Sequence, residues 1–170
     1  MSIKLYRHQE LALNYLRMNS CFALFMEQGT GKTLTALFRV AELYKEGKIE
    51  NCLVICPKPV IGSWWRDMPL VNEYHGVRLE NLVEVTNYEQ LLTKGGQSKY
   101  MNKKWDCIIL DESHYIKNKS AKRTKACLQL GLNAKYRYIL TGTPISNGQL
   151  ENIYSQFTFL YPYKNKQWIH

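Results

Sequence analysis

The stretch CFALFMEQGTGKT, residues 21–33, decides the fold of this 170-residue chain. Its first five residues are mostly apolar and have the length and bulk of a buried strand. Two glycines, Lys32 and Thr33 follow where the chain must turn, and a helical pattern begins at once. A strand, a glycine-bearing turn and a helix place backbone N–H groups and the positive helix end around an anion. The stretch therefore predicts a phosphate-binding loop, in which Lys32 reaches the β- and γ-phosphates and Thr33 offers its hydroxyl to Mg²⁺.

One position of this loop departs from the strict phosphate-loop pattern G-x-x-x-x-G-K-[ST]. Met26 stands where the first glycine of that pattern belongs. From these residues alone, a chance Gly-Lys-Thr at the start of a helix stays open as an alternative. The rest of the chain is needed to decide between the two interpretations.

Strand-like runs and helical patterns alternate along the chain. Short apolar runs predict strands at 21–25, 52–56, 82–85, 106–110 and 136–140. Helical spacing of apolar residues predicts helices at 5–18, 34–44, from 60, near 88–92, from Ser120, and at 150–160. Ser63 is a possible cap of the third helix. The glycine-rich stretch 95–98 predicts a surface loop. Such alternation predicts an α/β domain with a mostly parallel central sheet flanked by helices.

Composition and charge bound the class of protein. A chain with 45% hydrophobic and 22% charged residues fits one globular domain, residues 1–170. No apolar run approaches the ~20 residues that span a bilayer, and the first residues lack the apolar core of a signal peptide. We therefore expect a cytoplasmic protein without a membrane partner, or a nuclear protein if the source is eukaryotic. The short connections and the many Lys, Asn and Tyr residues favour a phage or bacterial source. The net charge of +9 favours nucleic acid as a partner.

The five cysteines predict no metal site. Four of them lie in or beside apolar runs, which is typical of small buried side chains. Cys52 and Cys56 have no second Cys or His pair nearby, which disfavours zinc.

A pair of carboxylates follows the apolar run at 106–110. Burying an unpaired carboxylate is costly, so Asp111 and Glu112 should hold a cation or lie in an open cleft. Beside a phosphate loop that cation is Mg²⁺, held by Asp111, while Glu112 polarises the attacking water. An ordinary acidic strand end is the alternative.

Three further segments carry polar or aromatic groups suited to recognition. The amide of Gln9 offers the donor and acceptor that an adenine edge needs, although a solvated helix start would also explain it. The hydroxyls of residues 141–143 follow a strand and can bind a neighbouring carboxylate or histidine. Of the paired tryptophans 64 and 65, one is expected in the core, and the other can stack on a nucleic-acid base.

Taken in order, the segments YRHQ, MEQGTGKT, CPKPVIGSWWRDM, VTNYEQL, DESH and LTGTPISN resemble the first ATPase lobe of superfamily-two helicases. Within that superfamily, the chain looks like the SWI/SNF-type (Snf-two) group of DNA translocases. The resemblance covers the chain from Tyr6 to about Pro162, and Thr-Gly-Thr-Pro argues against the RNA helicase groups, which usually carry Ser-Ala-Thr there. It implies a RecA-like, three-layer phosphate-loop fold that uses ATP and Mg²⁺.

The resemblance also implies roles for single residues. Gln9 is the implied adenine reader, Thr33 and Asp111 the Mg²⁺ ligands, and Asp111, Glu112 and Lys32 the catalytic residues. Nucleotide contacts are implied for Arg7, Gln9, Glu27, Gln28, Gly29, Thr30, Gly31, Lys32, Thr33 and Leu34. Coupling of the nucleotide to the DNA surface is implied for His114, Thr141, Gly142 and Thr143, and proximity to the DNA backbone for Lys58, Trp64 and Asn87.

The resemblance implies a partner as well. The family's enzymes have a second RecA-like lobe that completes the groove for double-stranded DNA and supplies arginine fingers, which contribute ~10³ to 10⁵ in rate in related phosphoryl transfer. We therefore expect the chain alone to hydrolyse ATP poorly. The second lobe should act in cis if the chain is an excised lobe, or in trans if the two lobes are encoded separately. Two other classes stay open: a non-catalytic DNA-binding or regulatory module, and a phosphate-loop kinase or GTPase, which DESH and TGTP disfavour.

Overall fold

The computed structural model of the chain describes residues 3–145 and 151–162. Five strands form one sheet: β1 (Cys21–Phe25), β2 (Cys52–Cys56), β3 (Val83–Asn87), β4 (Cys107–Asp111) and β5 (Tyr136–Thr141). Their order across the sheet is β1-β5-β4-β2-β3, and each neighbouring pair is parallel. The predicted strands are therefore confirmed to within one or two residues at their ends.

Helices cover both faces of the sheet. They are α1 (Arg7–Met18), α2 (Lys32–Lys45), α3 (Ile61–His75), the short α4 (Lys94–Gly96), α5 (Lys122–Gly131) and α6 (Glu151–Leu160). Helices α1, α2 and α3 pack side by side on one face, and α5 packs on α6 on the other. This is the three-layer α/β arrangement that the sequence predicts.

The two cores are separated by the sheet because successive side chains of a strand point to opposite faces. Cys52, Val54 and Cys56 of β2 belong to the core under α1–α3. Leu53 and Ile55 belong to the core under α5 and α6. A central parallel strand is buried on both faces, which explains why its sequence is a continuous apolar run.

All five cysteines are free and buried, as expected for small core side chains. Cys52 and Cys107 are register partners on the adjacent strands β2 and β4. Burial raises the pKa of the Cys56 thiol to about 12 and that of Cys127 to about 12. The thiols of Cys56 and Cys127 are therefore protonated and unreactive at neutral pH.

Two local predictions are wrong. Ser63 does not cap α3, because the helix begins two residues earlier and Val60 precedes it. The stretch 95–98 is not an irregular loop, since α4 continues into a π-helical turn at Gln97–Met101. The hydroxyl of Thr93 accepts the backbone N–H of Gly96 at 3.0 Å and caps this segment. The threonine was the sequence signal for a helix start, but the two glycines that follow favoured a loop.

The strand order places three loops beside one another. The carboxyl ends of parallel strands share one edge of the sheet, and β5 lies between β1 and β4. The loops after β1, β5 and β4, which carry residues 26–31, 142–145 and 112–116, are therefore neighbours. Residues 146 and 147, which complete the segment LTGTPISN, lie outside the described residues. No helix in the described ranges is both long and apolar enough to cross a membrane.

Candidate functional site

The loop between β1 and α2 turns on two glycines. Gly29 and Gly31 have φ angles of +77° and +80°, in the left-handed region that favours glycine. Gly31 is the N-cap of α2, so the first turn of a 14-residue helix opens directly toward the loop. The hydroxyl of Thr30 donates to the carbonyl of Glu27 at 2.7 Å and closes the loop. Backbone N–H groups and the helix dipole thus face one concavity, as an anion site requires.

The ammonium group of Lys32 is folded back over this loop. Its Nζ donates to the carbonyl oxygens of Met26 at 2.8 Å and Glu27 at 3.0 Å, and the residue is 8% exposed. Both acceptors are neutral, so these bonds hold the cation without neutralising it. An anion entering the concavity would offer Lys32 a stronger, charge-assisted partner.

Helix α1 is tied to the same loop by Gln9. Its Nε2 donates to the carbonyl of Thr30 at 3.1 Å, and its Oε1 accepts the backbone N–H of Tyr6 at 2.9 Å. The ring of His8 also lies against this loop, with Nε2 3.0 Å from the Thr30 oxygen. A Cβ atom on Gly31 would lie 2.1 Å from Gln9 Nε2, so the amide packs directly on the glycine. One amide N–H and one oxygen lone pair stay available to a nucleotide base.

The carboxylate of Asp111 ends β4 and is almost entirely buried. Its Oδ2 accepts the indole N–H of Trp64 at 2.9 Å, and its Oδ1 accepts the backbone N–H of Glu112 at 2.9 Å. Burial raises the pKa of Asp111, while the Trp64 hydrogen bond and the charge of Lys32 oppose that rise. The carboxylate is thus desolvated, oriented and close enough to Lys32 to be influenced by its charge.

Glu112 has the opposite electrostatic character. Its Oε2 accepts the hydroxyl of Thr141 at 3.3 Å and lies 3.3 Å from Nδ1 of His114. The hydrogen bond with His114 lowers the pKa of Glu112, and the charge of Lys32 lowers it further. Its backbone has a φ of +48°, which is uncommon for a residue with a side chain and is typical of functional sites. With its pKa lowered, Glu112 is therefore ionised at neutral pH, whereas desolvation works against the charge of the neighbouring Asp111.

The segment after β5 joins the two loops. The backbone N–H of Met26 donates to the carbonyl of Thr141 at 3.2 Å, and Nδ1 of His114 lies 3.0 Å from the Thr141 hydroxyl. A Cβ atom on Gly142 would lie 3.3 Å from the Met26 oxygen, so the backbones approach closely there. The N–H of Thr143 donates to the Thr141 hydroxyl at 3.1 Å. The phosphate loop, the acidic pair and residues 141–143 therefore form one continuous site.

Three residues of this site carry contacts that the sequence did not reveal. The hydroxyl of Tyr88 donates to the carbonyl of Asp111 at 2.8 Å. The hydroxyl of Ser113 donates to Oε1 of Gln156 at 2.6 Å, and Gln156 Nε2 donates to the carbonyl of Pro144 at 2.9 Å. Gln156 is fully buried on α6, where a polar residue within an apolar helical pattern was the available signal.

The residues expected near DNA have different environments. Lys58 is exposed just after β2, and Asn87 at the end of β3 accepts the backbone N–H of Gln90 at 2.8 Å. The side chain of Trp64 is fully buried, so the ring itself cannot touch DNA, and its proximity to the DNA backbone stays a prediction. The ring is buried because its hydrogen bond to Asp111 draws it inward. Its neighbour Trp65 is 43% exposed and is the tryptophan that faces solvent.

The remaining nucleotide candidates surround the loop. Arg7, Glu27 and Gln28 are exposed, and Thr33 and Leu34 are half-buried at the start of α2. Within residues 3–145 and 151–162, no group of three or more His, Cys, Asp or Glu side chains could hold a metal ion. Thr33 and Asp111 supply a hydroxyl and one carboxylate, which fits Mg²⁺ because that ion usually takes one or two carboxylates together with phosphates and water.

Comparison with known proteins gives the same picture for the sequence. A family profile described as the SNF2-related domain matches residues 70–169. The Arabidopsis thaliana Protein CHROMATIN REMODELING 24 is 30% identical over 93% of this chain, and the human TATA-binding protein-associated factor 172 is 30% identical over 95%. The chain spans only 17% and 10% of the length of these relatives.

Solved structures agree with the fold. The Sulfolobus solfataricus SWI2/SNF2 ATPase core in complex with dsDNA superposes with a TM-score of 0.81 and 28% identity, covering 95% of this chain and 36% of that one. A second structure, of the S. solfataricus SWI2/SNF2 ATPase core domain, gives a TM-score of 0.76 at 28% identity over 94% of this chain and 35% of that one. These likenesses confirm the predicted RecA-like fold.

Proposed function

Because the chain belongs to the SNF2-related family, we propose that residues 1–170 form the ATP-binding lobe of an ATP-dependent DNA translocase. The observation that carries the proposal is the meeting of the Lys32 loop with Asp111 and Glu112 through Thr141. Met26 contacts both Lys32 and Thr141, and Thr141 donates to Glu112. A phosphate-binding cation and an acid–base pair on one edge of a parallel sheet are the parts that phosphoryl transfer needs.

The residues divide the work of ATP hydrolysis between them. Lys32 leaves the carbonyls of residues 26 and 27 and pairs with the β- and γ-phosphates, while the N-terminus of α2 binds the same phosphates through backbone N–H groups. Thr33 and Asp111 would hold Mg²⁺, which, when bound, neutralises charge on the phosphates. Glu112, ionised at neutral pH, orients the attacking water and accepts its proton. Gln9, already packed on the loop, reads the adenine edge with its remaining donor and acceptor.

The transmission of the nucleotide state is assigned to residues around Thr141. Thr141 and His114 contact the Glu112 carboxylate, and Thr143 bonds to both of them, so a change at the carboxylate reaches the loop after β5 through these two residues. Completion of the active site requires arginine fingers from a second RecA-like lobe, in cis or in trans. The chain alone is therefore expected to bind nucleotide but to turn it over poorly.

Double-stranded DNA is the proposed track. One of the similar solved structures is described as a complex with dsDNA, and the net charge of +9 favours a polyanion. Contacts to the DNA backbone by the exposed Lys58 and Trp65 and by the half-buried Asn87 would suit a motor that moves along any sequence. A cytoplasmic or nuclear location goes with this role. The relatives described above come from eukaryotes and an archaeon, so they do not support the phage or bacterial source expected from composition.

Calorimetric titration of the chain with ATP and Mg²⁺ tests the proposal. Lys32→Ala should weaken ATP binding by about 10- to 150-fold, since a hydrogen bond to a charged group contributes ~1.5–3 kcal/mol. Lys45→Ala is the matched control, because Lys45 is an exposed lysine at the opposite end of the same helix. Equal ATP affinity in the wild type and Lys32→Ala would overturn the nucleotide site. Steady ATP binding without any DNA-stimulated turnover, even with a second lobe, would favour a regulatory module.

A further inference from the structure

A buried hydrogen bond joins helix α3 to the end of β4. The indole N–H of Trp64 donates to Oδ2 of Asp111 at 2.9 Å, across 47 positions of sequence. Trp64 is fully buried, and Asp111 is 3% exposed, so water cannot replace either partner. A hydrogen bond between a buried donor and a carboxylate is stronger than one between neutral groups and strongly directional. The roles proposed above for the phosphate loop and the acidic pair make no use of this hydrogen bond.

Two donors on the protein side fix the carboxylate plane of Asp111. Oδ2 accepts from the Trp64 indole, and Oδ1 accepts the backbone N–H of Glu112 at 2.9 Å. Each carboxylate oxygen has two lone-pair positions, so one position on each oxygen is left for other partners. Rotation of the carboxylate about its χ2 angle would break both bonds. The direction in which Asp111 presents its free lone pairs is therefore set in part by α3.

Helix α3 has a buried side and an exposed side, and they begin in the same turn. Trp64, Met68 and Val71 are its buried residues. Trp65 is 43% exposed, and Arg66 is exposed beside it. Any displacement of this first turn that engages Trp65 or Arg66 also moves the donor to Asp111. The indole bond thus links this outer surface of α3 to the acidic pair.

We propose that Trp64 is a positioning residue for Asp111, holding its carboxylate in the orientation that receives Mg²⁺ with the nucleotide and making that orientation depend on α3. The inference rests on the proposed ATP-binding function. It differs from a packing role in one respect, because packing needs only the ring, whereas positioning needs the N–H. Partners that orient metal ligands in this way change metal affinity by about 10- to 100-fold when they are removed.

Trp64→Phe separates the two roles, since it keeps an aromatic ring and removes the donor. Calorimetric titration of the chain with ATP, with and without Mg²⁺, gives the factor by which Mg²⁺ tightens ATP binding. We expect Trp64→Phe to reduce that factor by about tenfold while leaving Mg²⁺-free ATP affinity within about twofold of the wild type. Trp105→Phe is the control, because Trp105 is also buried and also donates its indole N–H, to the Tyr100 carbonyl at 3.0 Å, but it precedes β4 at the end away from Asp111 and should leave both values unchanged.

A second substitution protects the test against misfolding. Incorporation of benzothienylalanine at position 64 keeps the bicyclic shape and replaces the N–H by sulfur, so it should reproduce the loss seen in Trp64→Phe. A Mg²⁺ factor equal to that of the wild type in the benzothienylalanine protein would overturn the inference. Equal loss of ATP affinity with and without Mg²⁺ would also overturn it, since that result indicates a packing role. A wild-type chain that binds no ATP under either condition would instead overturn the proposed function.

Discussion

The two loops that carry the site are held in different ways. The phosphate loop is held mainly by side chains from its own stretch of sequence, since Lys32 donates to two carbonyls of the preceding residues and Thr30 to one of them, while Gln9 and His8 of α1 add contacts to the Thr30 carbonyl. The acidic turn after β4 is held by side chains from elements far away in sequence. These side chains are Trp64 of α3, Tyr88 after β3, Thr141 of β5 and Gln156 of α6.

The phosphate loop therefore has bonds that a ligand can replace, whereas the acidic turn has bonds that a ligand can leave in place. Under the proposed function, a phosphate would give Lys32 a stronger partner than the two neutral carbonyls that it contacts here, so the loop would re-form around its ligand. The acidic turn is instead fixed by bonds to distant elements that a ligand need not displace, and electrostatic catalysis relies on groups held in this way. The left-handed backbone of Glu112 is affordable only because the surroundings fix it.

The largest expected effect is that of a substitution in the acidic turn after β4. Glu112→Gln should leave ATP affinity within about threefold of the wild type but reduce turnover by ~10²- to 10⁴-fold, as expected for loss of a general base. The measurement is ATP hydrolysis in the presence of a second lobe and DNA. Glu89→Gln, an exposed acid at the same edge of the sheet, is the control. Turnover that survives Glu112→Gln would remove Glu112 from its proposed role.

The next effect tests how the phosphate loop is anchored. Gly31→Ala should lower the free energy of unfolding by ~1–2 kcal/mol for the left-handed backbone and by about 1 kcal/mol more because Gln9 must leave its bond to Thr30. Gly29→Ala is a matched control, since it shares the positive φ but has nothing within 4 Å of the added Cβ. Denaturant unfolding gives both values, and equal destabilisation would mean that Gln9 does not anchor the loop.

A third change breaks one side-chain support of the acidic turn. Ser113→Ala should lower the free energy of unfolding by ~1–3 kcal/mol, because Oε1 of Gln156 is left buried without its donor. Adding Gln156→Leu should recover part of this loss, since it removes the unpaired Oε1, while the Pro144 carbonyl loses its Nε2 donor. Additive losses in the double variant would show that the two side chains do not act as a pair.

The smallest expected effect concerns the backbone of Asp111. Tyr88→Phe should lower the free energy of unfolding by ~0.5–1.5 kcal/mol, which is typical of one neutral hydrogen bond. The exposed Tyr154 on α6 provides the control variant Tyr154→Phe, which should change stability very little. An effect of Tyr88→Phe as large as that of Ser113→Ala would mean that the turn depends on its backbone more than on its side chains.

The sequence was sufficient for the fold and for the ligand-facing half of the site. Strand runs, glycine turns and the Gly-Lys-Thr and Asp-Glu pairs are local signals, and the order of parallel strands brings their loops to one edge. The supporting half depends on contacts between distant elements. The family resemblance implied that Trp64 lies near the DNA backbone, and only the packing of α3 decides whether Trp64 or Trp65 turns inward.

The serine of DESH illustrates the same limit. Nothing in its local sequence marks Ser113 as a supporting residue. Its hydroxyl is nevertheless buried and bonded to Gln156, 43 positions further along the chain. A polar atom in the core is stable only with a partner, and sequence spacing gives no information about a partner at that distance.

The five buried cysteines allow local opening of the sheet to be measured by thiol labelling. Cys52, Cys56 and Cys107 lie on the central strands, whereas Cys21 lies on an edge strand. A thiol-alkylating reagent can reach each of them only when the surrounding structure separates, so the time course of labelling ranks the local opening free energies of the sheet. Modification of Cys21 ahead of the central three would record fraying from the β1 edge, and slower labelling in the presence of ATP would measure how far a ligand at the strand ends restrains the whole sheet.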